Sequence, residues 1–343
     1  MDIAEIGPDD HARMTEAAGL AATVRAADAP GGQPIIAAHF AAAIAHPRPG
    51  HRVHHYTAAI DDRVIGYLRL DVAPENPGTA SGELLVHPAH RGEGHGTALL
   101  DHALAVCRAE DRRTLTFSTI YALDDGPQRS GDGTRFLERH GFTLALDLVR
   151  RRLPVHTPDD AAEQRLWDEA LAASGDYEVR SWTGPVPDEL LDAMCRMDAM
   201  ILTQVPMGDL DMAPERVDPA RFRAKEAVLA AHRMTPVHTV AVHRATGEVV
   251  AHTRVDVYDV PDARHGHVLI TLVDPAHRGH RLGLLAKLAN LRHLREHHPD
   301  VTELWTANAA SNAPMIAVNE RLGFAPVERI GIHQRAVGGG PDV

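Results

Sequence analysis

Two short segments of this chain carry an arginine followed by closely spaced glycines, LLVHPAHRGEGHG at 84–96 and TLVDPAHRGHRLG at 271–283. Each lies between a β-rich run and a helical pattern. Such a turn suits the binding of an anion. The first turn of a helix leaves several backbone N–H groups without partners, all pointing out of its N-terminus. Glycines let a phosphate approach those groups closely, and the helix dipole adds a favourable field. The first copy supplies Arg91, Gly92, Gly94 and Gly96, and the second supplies Arg278, Gly279 and Gly283. Taken singly, either segment reads equally well as a tight strand-to-helix turn. Two copies that keep the arginine as well as the glycines favour phosphate. No Gly-Lys-Ser/Thr follows, which excludes a nucleotide-triphosphate loop. Antiparallel strands precede the turn, where a dinucleotide fingerprint would need the start of a βαβ unit.

The elements around the turns repeat with them. Pro88 and Pro275 are 187 residues apart; downstream, RFLERHGF (135–142) and NERLGF (319–324) place Gly141 and Gly323 182 apart. A solenoid repeat runs only about 20–50 residues, so the chain is two copies of one domain. The expected division is 1–155 and 177–343, with 156–176 a linker carrying one helix that Pro158 and Asp159 open and Gly175 closes. In the first copy, helices are expected over about 10–45, broken at Pro30-Gly31-Gly32. A hairpin (53–61 and 64–72) turns at Asp61-Asp62, and a strand then enters the glycine turn. The stripe Leu100, Leu104 and Cys107, flanked by Leu99 and Ala103, predicts a helix from Thr97 to about Arg112. A strand at 114–121, a Gly/Asp-rich loop, a helix ending at Gly141 and a final strand pair through 142–155 follow. The second copy repeats the order: a hairpin over 237–257, a strand at 267–274, a helix over 282–297 with Leu284, Leu288, Leu291 and Leu294, a strand at 302–308 and a helix from Ala313. This is a mixed α/β arrangement with a largely antiparallel sheet.

The composition limits function. At 343 residues with 44% hydrophobic content, each half can bury its own core. No run approaches the roughly 18 apolar residues of a membrane span, and the first thirty residues lack a signal-peptide layout. Cys107 and Cys195 fall in different halves, so no disulfide framework is expected. The expectation is a cytoplasmic protein, monomer or homodimer, with no membrane partner. The net charge of −12 argues against nucleic acid, since phosphate contacts supply most of that affinity. Of the 24 histidines, the pairs His54-His55 and His297-His298 lack the i, i+4 spacing of a zinc site, and no metal is expected.

The motifs HPAHRGEGHG (87–96) and DPAHRGHRLG (274–283) resemble the pyrophosphate-binding motif of the GNAT superfamily of acyl-CoA-dependent N-acyltransferases. NAASNAPMIAVNERLGF (308–324) is similar to that family's later motif, a strand end, an Asn, a helix and a final Gly-Phe. In RGHRLGLLAKLANLR (278–292) and VPMGDLDM (205–212) the second half resembles actinobacterial members. The resemblance covers both halves and implies two tandem GNAT-like domains. It implies acetyl-CoA, or another acyl-CoA, as cosubstrate, with its pyrophosphate on the backbone of Arg91, Gly92, Gly94, Gly96 and Thr97, or of Arg278, Gly279, His280, Arg281, Leu282, Gly283 and Leu284. Pantetheine would run along Leu85 and Val86, or Leu272 and Val273, held by Asn308 and Asn312. A primary amine of a small molecule would attack the thioester directly, with the N–H of Leu85 or Leu272 polarising the carbonyl.

The chain departs from the family pattern at several points. The tyrosine that commonly protonates the leaving thiolate is replaced by Leu137 and by Asn319, which can only hydrogen-bond. Arg281 stands where a glycine is usual, and ALDDGPQRSGDG (122–133) replaces the Asn-bearing segment of the first copy. Glu83 is the best-placed base in the first half, equally readable as an edge carboxylate; the second half has Thr271 on that strand. Asp209, Asp211 and Glu215 either bind the ammonium group or form a solvated acidic loop. Asn308 and Asn312 either hold the cosubstrate or cap a helix. Met194, Met197, Met200 and Met207 read as core before acceptor pocket, and Cys107 as buried. The second half is expected to be the active module. The alternatives are acetylation of a cysteinyl sugar, as in mycothiol synthesis, and a non-catalytic CoA-binding protein.

Overall fold

The computed structural model describes every residue except 49, 73–77, 157–159, 205, 207, 211–216, 262 and 339–343, and the side chains of Asp160 and Leu202. Pro158, Asp159, Met207, Asp211 and Glu215 therefore lie outside the described residues. In chain order the elements are β1 (Asp2–Glu5), α1 (His11–Asp28), α2 (Ala37–Ala45), β2 (Arg52–Ile60), β3 (Arg63–Val72), β4 (Thr79–Val86), α3 (His95–Ala109), β5 (Thr114–Tyr121), α4 (Asp132–Arg139) and β6 (Thr143–Pro154). They continue with α5 (Asp160–Ala173), β7 (Tyr177–Thr183), α6 (Leu191–Ala199), α7 (Ile201–Gln204), α8 (Pro219–Ala231), β8 (Met234–His243), β9 (Val249–Tyr258), β10 (His265–Val273), α9 (Leu282–His297), β11 (Glu303–Ala309), α10 (Ala313–Arg321) and β12 (Ala325–Ala336).

Two compact units result. In the first, β1 to β5 follow one another in the sheet, and β12, from the far end of the chain, comes next, ahead of β6. β12 runs antiparallel to β5, from Arg329 opposite Tyr121 to Ala336 opposite Thr114. Asp61 and Asp62, both with positive φ, form the tight turn between β2 and β3. Helix α1 buries Met14, Ala17, Leu20 and Val24 against Tyr67 of β3. From the stripe of α3, Leu99, Leu100, Ala103, Leu104 and Cys107 enter a core with Leu68, Leu70, Leu115, Phe117 and Phe142. Each fully buried leucine there contributes about 1.5–3 kcal/mol.

The second unit has the order β11-β10-β9-β8-β7, with the end of β6 beside β11. Its core joins Leu153 and Val155 to Val237, Val255, Leu291, Leu294, Leu304 and Phe324. The strand pair expected over 142–155 is a single strand, β6. Its first part belongs to the first unit and its last residues, from Arg150, to the second. The partner that closes the β5 edge comes instead from 325–336. Nothing local in 142–155 could show this, because the pairing spans about two hundred residues of chain.

One feature common to both units positions the site. Strand β4 pairs in parallel with β5 only from Thr79 to Gly82, while its antiparallel pairing with β3 runs on to Val86. Likewise β10 pairs with β11 only over His265–His267 but stays on β9 to Val273, with an irregularity between Val268 and Ile270. Each sheet therefore opens a V between its two parallel strands, with a glycine turn at the end of one arm.

Candidate active site

The two turns share one local architecture. A short 3-10 turn, Pro88–His90 or Pro275–His277, leads into the helix. It is capped by His87 Nδ1, which accepts from the Ala89 N–H at 3.2 Å, and by Asp274 Oδ1, which accepts from the Ala276 N–H at 2.9 Å. Positive φ recurs at Gly92 (81°), Gly94 (88°) and Gly279 (90°), and also at Arg281 (55°). An L-residue in this conformation costs roughly 1–2 kcal/mol, so the departure at 281 keeps the backbone shape of a glycine under strain. Around Gly92, Gly94 and Gly279 there is open space within 4 Å of any added Cβ. The cradle an anion needs is present in both copies.

The arginines differ. Arg91 grips Asp28, at the end of α1, with two hydrogen bonds of 2.6 and 2.8 Å, and reaches Asp132 at 3.2 Å. The hydrogen-bonded Asp28 carboxylate raises the Arg91 pKa above its ordinary value. Asp132 opens α4, so Arg91 ties the first glycine turn to the end of α1 and the start of α4. In the second unit Arg278 donates to a neutral partner, Gln204 Oε1, at 2.6 Å. Arg281 pairs with Glu169 of α5, which also takes Arg321. The first turn thus sets Arg91 and Arg135 against Asp28, Asp132 and Glu93, while the second sets three arginines against one glutamate.

Inside the Vs the contrast continues. Leu137 is core, packed with Leu104 and Phe142. Asn319, at the matching place, is fully buried, donates to Asn308 Oδ1 at 2.6 Å and has no partner for its own Oδ1. Sequence-predicted Asn308 and Asn319 are therefore brought together. Asn312 caps α10, accepting from the Met315 N–H at 3.4 Å. Glu83 is the first residue of β4 past the last pair with β5, opposite Arg69 of β3. On the other strand Thr271 bonds Thr253 at 2.8 Å. Asp209 sits in the first unit, its N–H on Ala145 O at 3.0 Å. Met194 and Met197 are core, with Met200 packed against them. Burial pushes the Cys107 thiol up to about 11. His55 bonds Tyr67 Oη and His298 contacts Thr183, so both adjacent histidine pairs have structural partners.

Sequence reasoning missed the carboxylates on Arg91, because Asp28 and Asp132 are 63 and 41 residues from it in the chain. It also missed Lys287, which the leucine stripe of α9 conceals. Lys287 lines a small cavity with Thr253, Val268, Asn290 and Phe324, its Nζ 5.2 Å from the Phe324 ring centre. Burial lowers its pKa to about 7.

Comparison with known proteins gives this geometry its context. Residues 51–144 match the family described as acetyltransferase (GNAT) domain, and residues 208–324 the acetyltransferase (GNAT) family. The chain belongs to the GNAT acetyltransferases. A tandem GNAT protein from the clavulanic acid biosynthesis pathway superposes with a TM-score of 0.82 at 28% identity, covering 99% of both chains. A mycothiol acetyltransferase of Saccharomonospora viridis is 31% identical over 77% of each chain, and one of Amycolatopsis mediterranei 28% identical over 79% of this chain and 80% of its own. The protein is thus an N-acetyltransferase built from two GNAT domains in tandem, as its two turns imply, and acetyl-CoA is the cosubstrate of that family. Among the described residues no helix is long and apolar enough to cross a membrane.

Proposed function

We propose that the second unit transfers the acetyl group of acetyl-CoA to the primary amine of a small molecule. The observation that carries this reading is the contrast between the two arginines. Arg278 faces a neutral glutamine, whereas Arg91 is held by two carboxylates that a pyrophosphate would have to displace. The backbone of Arg278 to Leu284 would receive the pyrophosphate. The strand edge at Leu272 and Val273, freed where β10 leaves β11, would hold the pantetheine. The neutral amine attacks the thioester carbonyl, the C–S bond breaks, and the proton shed by the nitrogen passes through water to the leaving thiolate. The Leu272 N–H polarises the carbonyl oxygen. Asn319 and Asn308 order the thiol end of the cleft by hydrogen bonding; neither can protonate the thiolate as a tyrosine would. No metal takes part in the transfer, and the expected setting is the cytoplasm, as a monomer or homodimer. The first unit, for all the position of Glu83, serves as scaffold.

A cysteinyl amino sugar is the acceptor to try first, because the curated relatives compared above carry the name mycothiol acetyltransferase. The test is thiol release from acetyl-CoA across a panel of amines, in wild type, Gly96→Glu and Gly283→Glu. These two positions are equivalent and neither has positive φ, whereas Gly94 would strain any replacement. Loss of at least about 100-fold with Gly283→Glu alone is expected, since a carboxylate at the anion site removes several charge-assisted bonds. Loss with Gly96→Glu alone would move catalysis to the first unit. Thiol release with none of the amines, alongside CoA binding by calorimetry, would make the protein a binding module.

A further inference from the structure

We propose that the first glycine turn holds a divalent transition-metal ion, of the Zn²⁺ class, on His90, Glu93 and His95. The ligand atoms of these three side chains all lie within 4.8 Å of one another. His95 Nε2 is 3.1 Å and His90 Nδ1 3.6 Å from Glu93 Oε2. Donor atoms bound at 2.0–2.1 Å around a tetrahedral centre stand about 3.3 Å apart, so both separations match an ion seated between them. The backbone explains how residues of this spacing meet. Gly92 and Gly94 flank Glu93, both with positive φ, and the double reversal brings the ends of the segment together. The side chains of His90 and Glu93 are 37% and 54% exposed, so an ion can reach them from solvent.

The local charge points the same way. Arg91 and Arg135 balance Asp28 and Asp132, so Glu93 leaves the turn with one net negative charge for an entering cation. Two neutral imidazoles and one carboxylate form the three-ligand set of an open zinc site, with the fourth position left to water or an anionic oxygen. The second turn is an internal control. At the matching positions it has His277, His280 and Leu282. There the His277 ring contacts Tyr177 Oη at 3.0 Å, and among the described residues no carboxylate joins the histidines in a metal-binding group. The first turn would thus bind a cation where the second binds the cosubstrate's phosphates. This division of labour rests on the reading that the second unit binds the cosubstrate, whereas the metal titration below reads the ion site without acetyl-CoA.

The experiment is calorimetric titration of ZnCl₂ into full-length, chelator-stripped protein, repeated with His95→Ala, Glu93→Gln and the control His277→Ala. Glu93 is exposed and His95 and His277 are half-buried, and circular dichroism checks that each variant folds. Expected is one equivalent with a Kd of about 1 µM or tighter. It should weaken by at least about tenfold in His95→Ala and in Glu93→Gln, and stay unchanged in His277→Ala. Co²⁺ in place of Zn²⁺ should show ligand-field absorption that His95→Ala removes. No equivalent tighter than about 100 µM would overturn the proposal and leave Glu93 as a plain ion-pair partner of two imidazoles. So would a tight equivalent that survives both substitutions, which would place the ion among the other histidines.

Discussion

Two turns of nearly the same sequence have been given different surroundings in one chain. Both keep the proline, the arginine, the left-handed residues and the helix that follows. Around the first, Asp28 and Asp132 close on the arginine, Leu137 fills the space below, and Leu100 completes the core. Around the second, the arginine meets Gln204, Asn319 bonds Asn308, and Lys287 replaces the leucine at the position equivalent to 100. A motif therefore specifies a backbone shape that can bind an anion, and its neighbours decide whether the charge needed for binding remains available. At these matched positions the second unit carries Asn319 and Lys287 where the first carries Leu137 and Leu100.

The largest effect that sharpens this comparison concerns the loop 122–133, which replaces the asparagine segment in the first unit. It is pinned by Arg129, whose Nε bonds Glu328 Oε2 of β12 at 2.6 Å with both side chains fully buried. Removing one partner of such a pair strands a buried charge, at a cost of about 3–5 kcal/mol. Glu328→Gln should lower the chemical-denaturation midpoint accordingly; a loss below about 1 kcal/mol would show that the loop is not held by this pair.

Next comes Lys287→Met. The unfolded chain keeps this ammonium protonated up to about pH 10.5, whereas the folded chain releases the proton near 7. Stability therefore rises with pH between those values, and below about 7 the burial penalty is present in full. Met should raise stability by up to about 4 kcal/mol at pH 6–7, and the gain should shrink towards pH 10. A gain that does not vary with pH would mean that the amine is charged in the fold.

Arg278→Ala should raise the KM for acetyl-CoA about 10- to 100-fold, the worth of one charge-assisted bond, while Arg91→Ala leaves it within about twofold. Equal effects at the two positions would break the contrast between the turns. The smallest change expected is in Arg281→Gly. Relief of the left-handed strain, about 1 kcal/mol, is set against loss of the exposed pair with Glu169, worth under about 1 kcal/mol, so thermal stability should rise slightly or stay level.

Much of the fold was legible because it rests on local pattern. The hairpins, both glycine turns, the leucine stripe of α9 and the repetition of the whole order follow from short periodicities and turn residues. Lys287 was not legible, since a lysine inside an apolar stripe looks like an exposed residue until the strands beneath it are placed. The donors of the second V were partly legible: Asn308 and Asn319 are 11 residues apart and meet across one strand and one helix. His90, Glu93 and His95 escaped because their spacing fits neither a helix nor a strand and works only through two positive φ angles.

By itself the sequence determined that there are two domains, much of the secondary structure around each glycine turn and the turns themselves, because those properties are written in contacts a few residues long. Only the tertiary structure decided which strand completes the first unit, which arginine keeps its charge available and where Asp209 sits. Each of those outcomes depends on groups separated by tens to hundreds of residues, and nothing in the local chemistry of either group specifies the other.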